Sequence, residues 1–157
     1  MKPIVPIASF ACLLAISATL RAQSEVGSWK LNTADSKFSG LEAPKRVTMT
    51  LQPIDGGIMN HTQGVSANGS PINFTYSAKY DGTETAITGS GAWNGADAVA
   101  LKRVDANTVE LTYKKSGTVV NKGRISISPD AKVMTITAQG TSPDGKPTDV
   151  RIIYEKH

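Results

Sequence analysis

The sequence predicts an all-β fold, a single antiparallel up-and-down meander barrel of eight to ten strands. Three observations lead there. Apolar and polar residues alternate with a period of two through residues 23–157. Turn dipeptides break the alternation at short, even intervals, and no stretch of that region sustains a helical apolar period. A meander with tight hairpins closes most naturally into a barrel, which also removes the sheet edges.

Residues 1–22 read differently from the rest. Met1 and Lys2 precede an uncharged apolar run from Ile4 to Leu20, and Arg21-Ala22 then leads into the polar Gln23-Ser24-Glu25. Charge, apolar stretch and small residue in that order predict a secretory signal peptide cut after Ala22. Pro3, Pro6 and small polar residues interrupt the run, and its length is marginal for a membrane span of about 20 residues. The chain is therefore expected to be secreted or periplasmic and, once cleaved, not an integral membrane protein. The single cysteine, Cys12, lies within the leader. Ala11 before it suits a lipidated cysteine, but Phe10 and the apolar stretch that follows argue against that reading.

Taking 22 residues from 157 leaves 135, the size of one domain with a sizeable core. That domain has neither disulfide nor thiol, so its core alone must stabilise it. Lys2 and Arg21 leave with the leader, which lowers the net charge from +4 to +2. No basic stripe with interleaved aromatics remains, so no nucleic acid is expected as a partner. The barrel is expected to be a monomer.

Along the chain, Trp29-Lys30-Leu31 opens the first strand, and Val47, Met49 and Leu51 form the apolar face of the next. Phe74, Tyr76 and Ala78 alternate with Thr75 and Ser77; Val109, Leu111 and Tyr113 alternate with Glu110 and Thr112. Ile125 and Ile127, then Met134, Ile136 and Ala138, continue the pattern. Each run has one apolar and one polar face, as antiparallel strands with one wet side require. Asp55-Gly56-Gly57, Asn68-Gly69, Asp81-Gly82, Asn94-Gly95, Ser116-Gly117 and Asp144-Gly145 supply turn residues that tolerate positive φ. Nine or ten strands result, the last ending at Tyr154.

An internal echo ties two of the hairpins together. Gln63–Pro71 and Gln139–Pro147 share the pattern Q-G-x-S-x-[N/D]-G-x-P at an offset of 76 residues. Both copies separate strand-like runs, which predicts two hairpins with one loop geometry. Aligning them sets Val150 on Phe74, Ile152 on Tyr76 and Tyr154 on Ala78, so Arg151 falls on the wet face.

With these features placed, residues 27–155 resemble the calycins, the lipocalins and fatty-acid-binding proteins, and are most similar to small secreted lipocalin-like proteins of bacteria. Gly27-Ser28-Trp29-Lys30-Leu31 resembles the group's G-x-W start, and Val150–Lys156 resembles its closing strand. The resemblance implies that Trp29 plugs one barrel end with an arginine from a late strand packed across it. Arg124 is the candidate, either as that cation–π partner or as an exposed strand charge. Fatty-acid-binding proteins clamp a carboxylate with an Arg-x-Tyr pair on the last strand. Here Arg151 and Tyr154 are three apart and face opposite ways, with Ile152 in the clamp position. The Asn32–Arg46 connection is also too short for their two-helix lid.

Alternation places Met49, Leu51, Phe74, Tyr76, Leu111, Tyr113, Ile127, Met134, Ile136, Ile152 and Tyr154 inside. Such an interior is either filled by its own side chains or holds one small ligand. If a ligand, then Phe74, Met134 and the hydroxyls of Tyr76, Tyr113 and Tyr154 are candidate contacts. Arg103 continues the parity of Val99 and Leu101 and is either an inward-facing rim charge that meets an acidic head group or a solvated strand end. No catalytic or metal constellation is visible. His61 and His157 lack nucleophilic partners, no cofactor is expected, and the aspartates sit mostly at turns. The expected function is an exported binding barrel for a small apolar or amphipathic, hydrophobic ligand. The alternative is a protein-interaction or inhibitor barrel acting through loop 89–97, with Trp93 either an exposed anchor or a barrel cap.

Overall fold

Alternation becomes strand at every position where it was sustained. The computed structural model describes residues 23–157; the leader and Cys12 lie outside the described residues. The strands are β1 (Gly27–Ser39), β2 (Arg46–Ile54), β3 (Gly57–Val65), β4 (Pro71–Lys79), β5 (Asp81–Ala86), β6 (Thr88–Ser90), β7 (Ala98–Asp105), β8 (Thr108–Lys115), β9 (Thr118–Ile127), β10 (Val133–Thr141) and β11 (Pro147–Lys156). A single 3-10 turn, Trp93–Gly95, joins β6 to β7. The count of eleven exceeds the expected nine or ten partly because β6, only three residues long, is too short to show alternation.

All pairings are antiparallel, and the sheet runs β5-β7-β8-β9-β10-β11-β1-β2-β3-β4-β6. Consecutive hairpins build most of it. The wall continues because β1 pairs with both β2 and β11, setting Trp29 opposite Met49 on one side and Lys156 on the other. The remaining seam, between β4 and β7, is spanned by residues 81–90. Their first half pairs with β7, and their second half crosses to β4, where Gly89 lies opposite Phe74. The result is a nearly closed barrel of the predicted lipocalin-like type.

The interior is as alternation predicts: every residue assigned to it is buried, with Met134 fully enclosed and Leu111 and Ile152 at 2% exposure. Arg151 is exposed on the outer face, as the echo requires. Ile153 also points outward yet is buried, because β1 bulges over it. Between Asn32, opposite Ile153, and Lys37, opposite Arg151, four residues of β1 face one of β11. Ser36 repairs the ladder there: its hydroxyl accepts from the Ile153 N–H at 2.9 Å and donates to the Asn32 carbonyl at 2.6 Å. No α-helical lid follows β1; Gly40–Lys45 leads directly into β2.

The two echoing hairpins have the same internal bonding. In the first, the Ser66 N–H meets the Ser70 carbonyl at 2.9 Å and the Gly69 N–H meets the Ser66 carbonyl at 3.1 Å. In the second, Ser142 pairs with Lys146 at 2.8 Å and Gly145 with Ser142 at 2.9 Å. The serine hydroxyl donates to the Asn68 side chain at 2.6 Å in one loop and to the Asp144 carboxylate in the other. Gly69 and Gly145 take φ of +91° and +83°, which L side chains rarely adopt. The Ser142 hydroxyl, followed by Lys146, holds the Asp144 carboxyl down at about 2. Ser142→Ala should therefore return the Asp144 titration, followed by side-chain NMR, toward its ordinary value of 3.8. Loss of the hydroxyl's bonds should cost about 1 kcal/mol in urea unfolding. An unmoved Asp144 titration would refute this account of the loop.

Candidate functional site

The barrel is filled at one end and hollow toward the other. A cavity of about 500 Å³ occupies the hollow part, and Leu31, Met49, Phe74, Leu111, Ile136 and Ile152 supply much of its apolar wall. These residues come from β1, β2, β4, β8, β10 and β11, so the void is a property of the closed wall rather than of one loop. Its opening is framed by Leu41 and Pro44 after β1, by the Ser66–Pro71 hairpin and by Gly91–Asn94.

Tyr76, Tyr113 and Tyr154 all border this cavity, as does Phe74, stacked on Tyr76 at 6.5 Å between ring centroids. Two polar residues that alternation did not flag join them. In β3 the inward positions are Ile58, Asn60 and Thr62, and Asn60 lies directly opposite Tyr76 in the ladder. Thr62 donates its hydroxyl to Asn60 Oδ1 at 2.7 Å, which turns the Asn60 amide N–H₂ toward the Tyr76 oxygen. Tyr113 and Tyr154 bring their hydroxyls to the same cavity. Burial pushes the Tyr76 phenol up to about 12, and the neighbouring Tyr113 and Asn60 side chains only partly offset it. Tyr113 is raised well above its usual value, by burial first and by Tyr76 second, and burial likewise raises Tyr154. The hydroxyl cluster is therefore neutral at any physiological pH.

Further polar groups face inward from the opposite wall. Asn121 and Thr148 flank Gly140 in the ladder, and a Cβ at Gly140 would stand 2.2 Å from Asn121 Oδ1. Asn121 Nδ2 and Thr148 Oγ1 are buried with no hydrogen-bond partner among the described residues.

Trp93 does not stand free at a loop tip. It is half-buried, borders the cavity and tilts against Tyr113, 6.1 Å between centroids. That is the cap position rather than the exposed-anchor one. Its neighbour Asn94 has φ 50° and donates its amide N–H to the Val120 carbonyl at 3.3 Å. The amide orientation is thereby set, and Asn94 Oδ1 is buried without a donor among the described residues.

The other end of the barrel is closed by the segment before β1. Trp29 is fully buried and donates its indole N–H to the Glu25 carbonyl at 2.7 Å. Glu25, 5% exposed, receives the Tyr80 hydroxyl at 2.6 Å and an ion pair from Arg103. The Arg103 guanidinium also lies 4.1 Å from the Tyr80 ring centroid. Burial, and then the Glu25 carboxylate, push the Tyr80 phenol far up.

Two expectations are corrected here. Arg124 is not the partner of Trp29; it is exposed and pairs with Glu110 at 3.3 Å, while Lys156 sits 5.0 Å over the indole. The register explains it, since Lys156 is the direct ladder partner of Trp29 and Arg124 lies on the outer face of β9. Arg103 points inward, but its anionic partner is the chain's own Glu25. With Met134 it borders a small void of about 30 Å³ at the closed end, so neither touches the main cavity. Of the six candidate contacts, four share one site.

His61 is half-buried on the outer face, with Nε2 3.0 Å from Asn73 Oδ1. Among the described residues no three His, Cys, Asp or Glu side chains come together as metal ligands. No helix there is long and apolar enough to cross a membrane.

No family model matches the chain, and no curated protein is similar to it in sequence. Similar folds are found among solved structures. A zebrafish ileal bile acid-binding protein complexed with cholic acid superposes with a TM-score of 0.50 at 10% identity, covering 85% of this chain and 99% of the other. A de novo designed fluorescence-activating β-barrel superposes with a TM-score of 0.44 at 13% identity, over 87% of this chain and 96% of the design. At 10% identity the first likeness is one of fold alone, an antiparallel β-barrel.

Proposed function

We propose that this chain is an exported binding protein that holds a small apolar or amphipathic molecule inside its barrel. The observation that carries the proposal is the cavity of about 500 Å³, apolar over most of its wall and furnished with a cluster of hydroxyl and amide groups. Sites for small ligands have this size and this mix of walls and a few oriented polar groups. A barrel selected only as a scaffold would gain stability from filling the space, because voids forfeit contacts with the atoms that line them. The bile acid-binding neighbour uses a similar fold to hold an amphipathic molecule. Export rests on the pattern of residues 1–22.

The test is to express the full chain in an exporting bacterial host and to recover the protein under non-denaturing conditions. A mature mass beginning at Gln23 is expected, and native mass spectrometry should show an adduct released on unfolding. Leu111, 2% exposed and bordering the cavity, supplies the control. Leu111→Trp should place an indole in the void and weaken binding of a neutral polarity-sensitive dye while the circular dichroism stays that of the parent. Overpacking by this amount costs about 1–3 kcal/mol, which a 135-residue domain tolerates. Undiminished dye binding in a folded Leu111→Trp protein would place the dye elsewhere and refute the cavity as the site.

A further inference from the structure

The charges around the cavity narrow the class of ligand. Among the residues that border it there is no Lys, Arg or His, and the single ionisable carboxyl is Glu42, exposed at the opening. The nearby cations stand outside that lining. Arg103 is held by Glu25 at the closed end, Arg151 points outward, Lys146 pairs with Asp144 at 2.9 Å, and Lys45 is exposed beside the Ser66–Ser70 loop.

What the interior does offer is neutral and directional. Tyr76, Tyr113 and Tyr154 border the cavity with neutral hydroxyls that can donate to a ligand oxygen, and the Asn60 side chain stands opposite Tyr76 in the ladder. Near the opening, Asn94 Oδ1 is a buried acceptor whose amide N–H₂ is committed to Val120, so it needs a donor. A ligand hydroxyl can accept from a tyrosine or donate to Asn94 Oδ1; a carboxylate has no proton for Asn94 and would be buried with no cation. Burying an unpaired carboxylate is far more costly than burying a hydrogen-bonded hydroxyl.

We infer that the cavity selects uncharged amphipathic molecules of the lipid-alcohol class, its polar oxygen bound by Tyr76, and discriminates against fatty carboxylates. The inference rests on the binding function proposed above and specifies its ligand. The raised Tyr76 phenol supports it, since a wall that suppresses a phenolate also disfavours a ligand anion.

The test is displacement of the neutral dye N-phenylnaphthylamine from the folded protein by decanol, decanoate and decylammonium at about pH 8. Decanol should displace it at least about tenfold more tightly than either ion, a ratio equivalent to about 1.4 kcal/mol. Tyr76→Phe should weaken decanol about fivefold more than it weakens the dye, the scale of one neutral hydrogen bond. Either ion binding as tightly as decanol overturns the inference and leaves the binding function standing. A protein that takes up neither dye nor any of the three overturns the binding function, and the inference with it.

Discussion

Titrated upward from about pH 9, the folded protein should hold all four of its tyrosines protonated and release their protons together as it unfolds. Burial raises Tyr76 to about 12 and pushes Tyr113, Tyr154 and Tyr80 upward as well. In the unfolded chain they titrate near 10. A phenol raised in the folded state contributes its full stability below the unfolded value, and loses it as pH climbs toward the folded one. Above about pH 10, each tyrosine that is protonated when folded and ionised when unfolded removes about 1.4 kcal/mol per pH unit. Four together remove about 5 kcal/mol per unit, against a typical total of about 5–15 kcal/mol. Alkaline unfolding should therefore fall about one to three units above pH 10, with phenolate absorbance and far-ultraviolet circular dichroism changing in a single shared transition. Phenolate absorbance that rises stepwise while the dichroism remains native would show that the tyrosines are not enclosed.

The second large effect belongs to the closed end. Arg103→Met keeps much of the side-chain volume but leaves the Glu25 carboxylate, 7% exposed, without its cation. The Tyr80 hydroxyl alone cannot replace a guanidinium, and removing one partner of a buried pair costs about 3–5 kcal/mol. Arg103 itself is 28% exposed, so water partly solvates the site, and a loss of about 2–4 kcal/mol is expected in urea unfolding. Glu25→Gln in the Arg103→Met background should recover part of that loss by removing the stranded charge. The Trp29 contact survives both changes, because the indole bonds to the Glu25 main chain. A loss below about 0.5 kcal/mol for Arg103→Met would mean that the pair carries no more than an ordinary surface bridge.

Most of the wall was legible because period-two alternation states which face each residue occupies, and the repeated hairpin locked two strands into register. Phe74, Tyr76, Tyr113 and Tyr154 were found that way. β3 was not, because its inward positions include Asn60 and Thr62, and a polar residue on the inner face erases the signal. The hairpin register held the clue, since it sets Asn60 against Tyr76. Arg103 had the correct parity, but parity cannot tell which end of the barrel a strand position occupies, nor that Glu25 folds in from before β1. Trp93 was ambiguous for a related reason: only contact with Tyr113, twenty residues on, fixes a side chain on an irregular turn.

The pairing of Trp29 with Lys156 has a consequence for how the molecule is attached to anything else. Both the first strand and the last begin or finish at the plugged end, so whatever precedes residue 23 or follows residue 157 departs from there. A tether or fusion at either extremity anchors the base of the vessel. The rim, with Trp93 and the Ser66–Pro71 loop, is left pointing away from the point of attachment.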